Sequence, residues 1–252
     1  MRNLLHDMNP AIKFVMVTVV MLGLAFFFNP WTPLLFFFGV ICLQLFFSRM
    51  DWKIWSLFML PFTLGAFGYL WTTIVFGAET EGTVIWSLFG FEVTDEQWAV
   101  ALSLAFRVLA FSSLSLLFAL TTDPVRFVMS LMQQLKLSPK IAYGVLVGYQ
   151  FLPVLKDEFF QIQQAHRLRG AATEKYWWQR LLGIRRVIIP MLAGAVRKAE
   201  RSAFAMEARG FTGEARTEFY RPVRAGRLDM VMSLVIVALF VGSCVFGVYL
   251  SG

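Results

Sequence analysis

A chain of 252 residues that is 58% hydrophobic, 16% aromatic and only 15% charged exposes apolar surface that water does not suit, since soluble domains carry about 25% charged residues. With a mean hydropathy of +0.65, that composition excludes a disordered chain, a small disulfide scaffold and most soluble enzymes. The 23 Lys and Arg against 16 Asp and Glu, a net charge of +7, point to a membrane surface ahead of nucleic acid.

A bilayer core takes about 20 mostly apolar residues per spanning helix. Five runs qualify, at residues 11–28, 31–47, 54–76, 99–120 and 228–250. Asn29-Pro30 and Pro33 predict a tight turn that makes a helical hairpin of the first two. Arg2 followed by an apolar run resembles a signal peptide, but no small-x-small cleavage site follows, so the run reads as an uncleaved first span. Cys42 and Cys244 sit in apolar runs near opposite membrane faces, which predicts neither a disulfide nor a metal site.

Charge orients the spans. Arg2, Lys13, Arg49 and Lys53 flank the inner ends of the first three, whereas residues 77–98 carry five acids and no Lys or Arg. Residues 123–227 carry 18 of the 23 basic residues against 8 acids. The positive-inside rule then places the N-terminus inside, the acidic loop outside, the basic stretch inside and the C-terminus outside.

The basic stretch is the unusual part. Residues 141–155 are apolar but interrupted by Gly144, Gly148 and Pro153, and read as a partial dip into the membrane or a buried amphipathic helix. Two helical segments follow, at about 153–169 and 177–209. In the second, Leu182, Ile184, Val187, Ile188, Met191, Leu192, Ala195 and Val196 recur at helical spacing with Arg180, Arg185, Arg186, Lys198 and Arg201 largely between them. Pro190 is expected to kink or break that helix. Trp177 and Trp178 at one end suit a membrane surface or a partner groove. Positive-inside charge on helices lying against anionic lipid explains this much equally well.

A repeat points further. Ala165-His-Arg-Leu-Arg169-Gly170 and Ala205-Met-Glu-Ala-Arg209-Gly210 align 40 residues apart as A-x-x-x-R-G. Each falls where a helix is expected to end, where Gly suits the left-handed position and Arg complements the helix dipole. One copy is explained by helix capping alone. Two copies, closing consecutive amphipathic helices, present two planar guanidinium forks suited to bidentate carboxylate partners.

At this point the chain resembles the transmembrane T component (EcfT/CbiQ-like) of energy-coupling factor (ECF) transporters, the bacterial vitamin and metal importers. The resemblance rests on Leu5-His6-Asp7-Met8-Asn9-Pro10 with Lys13, on Leu135, Pro139 and Phe151-Leu152-Pro153, and on Arg221-Pro222 before a last span. It is most specific at Ala208-Arg209-Gly210 and at Leu168-Arg169-Gly170, whose first position departs from the family's A-R-G. It implies an all-α integral membrane protein with about five transmembrane helices and cytoplasmic amphipathic coupling helices inserted before the last span. The expected organisation is transmembrane helices 1–4 over residues 1–121, a coupling region over 122–227 and the last span over 228–252, in the inner membrane of a prokaryote.

The resemblance also implies partners: two cytoplasmic ABC-type ATPases and a separate substrate-binding membrane subunit. Arg169 and Arg209 would dock into grooves on the ATPases, with Ala165, Gly170, Ala205, Ala208 and Gly210 allowing close approach and capping the helix ends. No cofactor is expected in this chain, ATP and Mg being held by the ATPases. The chain has no G-x-x-x-x-G-K-[ST] loop, no H-E-x-x-H and no G-x-S-x-G, so it is expected not to be an enzyme. Glu207 reads as a local charge partner of Arg209. Arg107, inside the fourth span, is expected to snorkel or to face a partner or crevice. Three readings compete: a self-sufficient permease, which needs a polar pocket among the spans; an interfacial enzyme acting on lipid headgroups, which needs a carboxylate cluster; and a peripheral scaffold on anionic lipid, which survives only if both arginines are replaceable.

Overall fold

Asn9 opens the first long helix: its side-chain carbonyl accepts the Ala11 N–H at 3.1 Å, and Pro10 occupies the first helical position, where its missing donor costs nothing. The computed structural model describes residues 4–27, 29–48, 51–76, 84–88, 91–169, 177–214, 219 and 222–251. It divides into two compact units, residues 1–130 with 223–252 and residues 131–222.

The first unit holds α1 (Leu4–Asp7), α2 (Pro10–Ala25), α3 (Trp31–Phe47), α4 (Trp52–Phe76), α5 (Asp95–Thr121) and α9 (Arg227–Ser251). A two-stranded antiparallel ribbon, β1 (Val84–Leu88) with β2 (Phe91–Thr94), occupies the acidic loop. Apart from that ribbon the regular secondary structure among the described residues is helical, and the protein is an all-α integral membrane protein. Helices α4, α5 and α9 are long and apolar enough to cross a membrane. Helices α2 and α3, at 16 and 17 residues, are shorter apolar helices at the low end of spanning length.

Side-chain pairs set the packing of this unit. The Lys13 ammonium on α2 meets the Thr121 hydroxyl at the end of α5 at 3.1 Å, and the Arg107 guanidinium on α5 donates to the Phe27 carbonyl just past α2. Residues 13 to 27 on one helix therefore lie along 121 to 107 on the other, antiparallel. At one end of the unit Asp229 accepts the Asn9 N–H at 2.6 Å and the Gly226 N–H at 2.7 Å. At the other, the Asn29 amide donates to the Gly247 carbonyl, so α9 runs parallel to α2. Leu24, Phe36, Leu114, Leu117 and Ile236 are buried in the core between these helices. Helix α4 packs chiefly on α5 and leaves Leu57, Leu64, Phe67 and Phe76 exposed.

Several expectations are refined. Helix α5 begins at Asp95 rather than at residue 99, because Thr94 and Gln97 form a capping box. A helix not anticipated, α6 (Pro124–Gln134), starts where the Asp123 side chain accepts the Val125 N–H at 3.1 Å. Arg107, whose role the sequence left open, donates to the backbone just past the end of α2. In α1, burial and then the nearby Lys13 ammonium hold His6 below the ordinary imidazole value.

The second unit is built on α7 (Pro139–Leu168) and α8 (Trp177–Ala208), which pack on each other. The second segment expected here, at 177–209, is found as Trp177–Ala208, whereas the first is longer than expected. Residues 141–155 do not form a helix separate from 153–169: α7 runs unbroken from Pro139, at its first turn, through Pro153. Buried Ala142 and Leu146, one turn apart, hold one side of this stretch, while Gly144 and Gly148 lie exposed with open space beside them. The glycines lower helix propensity without ending the helix. Pro190 likewise does not break α8. Both prolines are exposed, so each ring meets solvent or lipid and each helix loses one hydrogen bond locally.

Candidate functional site: the arginine-tipped helix ends

The two copies of the repeat end the two helices of the second unit. Arg169 is the C-cap residue of α7, and its N–H reaches the Ala165 carbonyl at 3.2 Å. Arg209 follows the last helical residue of α8, and its N–H reaches the Met206 carbonyl at 3.1 Å. Beyond it the backbone closes a Schellman motif, with Gly210 N–H on the Glu207 carbonyl at 2.9 Å and Phe211 N–H on the Met206 carbonyl at 3.0 Å. Gly210 sits at φ +80°, a conformation that a Cβ disfavours. Gly170 lies outside the described residues.

This local geometry presents both arginines outward. Arg169 and Arg209 are exposed, as are Ala165, Ala205 and Ala208. Apolar neighbours share the exposure: Leu168 is 90% exposed and Phe204 69%. Neither guanidinium forms an ion pair with a described residue, and Glu207 is not the partner of Arg209 that its place in sequence suggested. A Glu two residues before the cap points elsewhere on the helix, since facing neighbours lie three or four apart. Each tip thus combines an exposed planar cation with a bare apolar patch, which suits a carboxylate set in an apolar groove.

Sequence reasoning missed what supports the second tip. The Phe211 ring meets Tyr143 of α7 edge-on at 5.4 Å, and Gly213, at φ +74°, lies against the stem of Lys140. The segment after Arg209 is therefore folded onto the first turns of α7. The signal available was the Phe at the position after Gly210, where a Schellman motif commonly makes an apolar contact.

Because no neighbour lies within 4 Å of a Cβ built at Gly210, Gly210→Ala isolates the backbone cost. It is expected to destabilise the α8 end by about 1–2 kcal/mol, with Gly210→Asn milder because Asn tolerates the left-handed region. Thermal unfolding of the detergent-solubilised variants checks this, and equal midpoints for Gly, Asn and Ala would remove the motif's role.

Comparison with known proteins places these features. The family model described as CbiQ, cobalt transport protein, matches residues 1–219. The energy-coupling factor transporter transmembrane protein EcfT of Streptococcus thermophilus is 28% identical over 236 residues, covering 86% of this chain and 84% of that protein. The EcfT protein of Thermotoga maritima is 27% identical over 252 residues, covering 92% and 86%. That of Exiguobacterium sibiricum reaches 31% over 173 residues, covering 63% and 64%. With the model matched from the first helix through both arginine tips, the chain belongs to the CbiQ cobalt transport protein family, as a membrane transport protein whose relatives are transmembrane components of energy-coupling factor transporters.

Proposed function

We propose that this chain is the coupling subunit of an ECF-type importer, transmitting ATP-driven movement of two cytoplasmic ATPases to a separate membrane subunit that binds a vitamin or transition-metal substrate. The observation that carries the reading is the pair of equivalent arginine caps, Arg169 on α7 and Arg209 on α8, both exposed and neither in an ion pair with a described residue. In this reading each arginine docks into an ATPase groove and pairs with an acidic side chain there. Closure of the ATPases then shifts α7 and α8, and their apolar faces pass the shift to the substrate-binding subunit.

The same reading sets the chain in the prokaryotic inner membrane with the Asn9–Asp229 end inside and the Asn29–Gly247 end outside, following the distribution of Lys and Arg. The coupling region extends over residues 122–227, between four spans and a fifth. ATP and Mg belong to the ATPases, and this chain contributes mechanical linkage instead of catalysis.

Affinity purification of the tagged chain from membranes of its own host tests the proposal. Two ABC-type ATPase polypeptides, or two copies of one, together with a small membrane subunit are expected to co-purify, and reconstituted vesicles to take up substrate only with ATP. A chain that purifies alone and carries substrate by itself would overturn it.

A further inference from the structure

We infer that Glu158 and Lys198 form the fixed pivot about which α7 and α8 move; this rests on the reading of those helices as coupling elements. The offset of 40 residues that relates Ala165 to Ala205 and Arg169 to Arg209 also relates Glu158 to Lys198. These equivalent positions touch: the Lys198 ammonium donates to the Glu158 carboxylate at 2.6 Å, an ion pair linking the two helices. Contact between equivalent positions of two repeats is what a local two-fold axis through the pair produces. Points on such an axis move least when the helices rotate against each other.

The shared offset also sets equal lever arms. Each arginine lies eleven residues beyond its member of the pair, about 16 Å of helix at 1.5 Å per residue. A rotation about the pair therefore displaces the two tips equally, as two equivalent ATPase grooves would require.

The chemistry suits a joint. Two identical side chains on an axis would set like against like, whereas Glu and Lys attract. The ammonium has three rotatable donors on a flexible stem, so it holds its carboxylate while the angle between helices changes. Both side chains are partly sheltered, at 23% and 32% exposure. Gly194 on α8 completes the seat: a Cβ there would lie 2.7 Å from Oε1 of Glu158, so the absent side chain lets the carboxylate rest against α8.

The test uses the co-purified complex in vesicles, with Cys42→Ser and Cys244→Ser in the background. Glu158→Cys/Lys198→Cys and Ala165→Cys/Ala205→Cys are each joined by a thiol-reactive linker matched to their spacing. ATPase co-purification and ATP-driven uptake are then measured. Linking 158 to 198 is expected to leave uptake near that of the parent, and linking 165 to 205 to stop it while the ATPases stay bound. In a second set, Glu158→Lys alone should lower uptake roughly threefold to thirtyfold, and Glu158→Lys/Lys198→Glu should restore it. If the 158–198 link stops uptake with the ATPases still bound, or the exchanged pair fails to restore it, the pivot is wrong while the coupling reading stands. If the unmodified complex holds no ATPases, the coupling reading itself fails.

Discussion

Replacing Arg169 and Arg209 together by alanine is expected to abolish association with the ATPases and ATP-driven uptake, with the protein still inserting normally. Truncating one partner of a buried, hydrogen-bonded charge pair costs about 2–5 kcal/mol, roughly 30-fold to several-thousand-fold in affinity. Two such losses exceed what the surrounding apolar contacts of Leu168 and Phe204 can offset. The folded chain is expected to be indifferent. Both arginines are exposed and form no ion pair with a described residue, so alanine strands no carboxylate and thermal stability should move by no more than about 0.5 kcal/mol. Lysine at either position should lie between, keeping the charge and losing the fork. Pull-down of the ATPases alongside unfolding midpoints separates the cases: a double alanine variant that binds and transports like the parent would reduce both motifs to helix caps.

The second large effect belongs to Lys13. Its side chain is 0% exposed, and its ammonium donates to the Leu5 carbonyl, the Thr121 hydroxyl at 3.1 Å and the Thr121 carbonyl at 3.3 Å, with the Thr122 hydroxyl at 3.4 Å. One cation thereby ties α1 to the end of α5, through acceptors on Leu5 and Thr121 that are buried away from water. Lys13→Met removes the donors and keeps much of the volume. Charged hydrogen bonds contribute about 1.5–3 kcal/mol each, partly offset by the relieved burial of charge. The net loss is expected to be about 2–4 kcal/mol. Thermal unfolding in detergent checks it, and an unchanged midpoint would mean that the carbonyls find other donors. Lys13→Arg should not rescue, because a fully enclosed site has no room for the wider guanidinium.

What was legible in the sequence follows from how local each signal is. The apolar runs were readable because span length and hydropathy are properties of contiguous residues. Gly210 as a helix stop was readable because the left-handed position has few other tenants. The extent of α7 was not: Gly144, Gly148 and Pro153 look like breakers, and only buried Ala142 and Leu146 override them. The ribbon at residues 84–94 was invisible because two short strands carry little period-two signal. Lys13 was marked by the opening motif and as an inside charge, but its burial was not legible, since its acceptor Thr121 stands 108 residues away. The arginine repeat was plain in sequence, whereas the lack of an ion pair between Glu207 and Arg209 depends on side-chain direction around a helix end.

Helices α2 and α5 have unequal reach. The 16 residues of α2 rise about 24 Å and the 22 apolar residues 99–120 of α5 about 33 Å, against a hydrocarbon core of about 30 Å. Lipid beside the α2–α3 turn therefore has to thin, and lipid along α4 and α5 to thicken or let those helices tilt, at fractions of a kcal/mol per Å. A step in the bilayer around the protein is therefore the expected result. The height of that step makes acyl-chain length a determinant of where this subunit, and any neighbour sharing its short side, settles in the membrane.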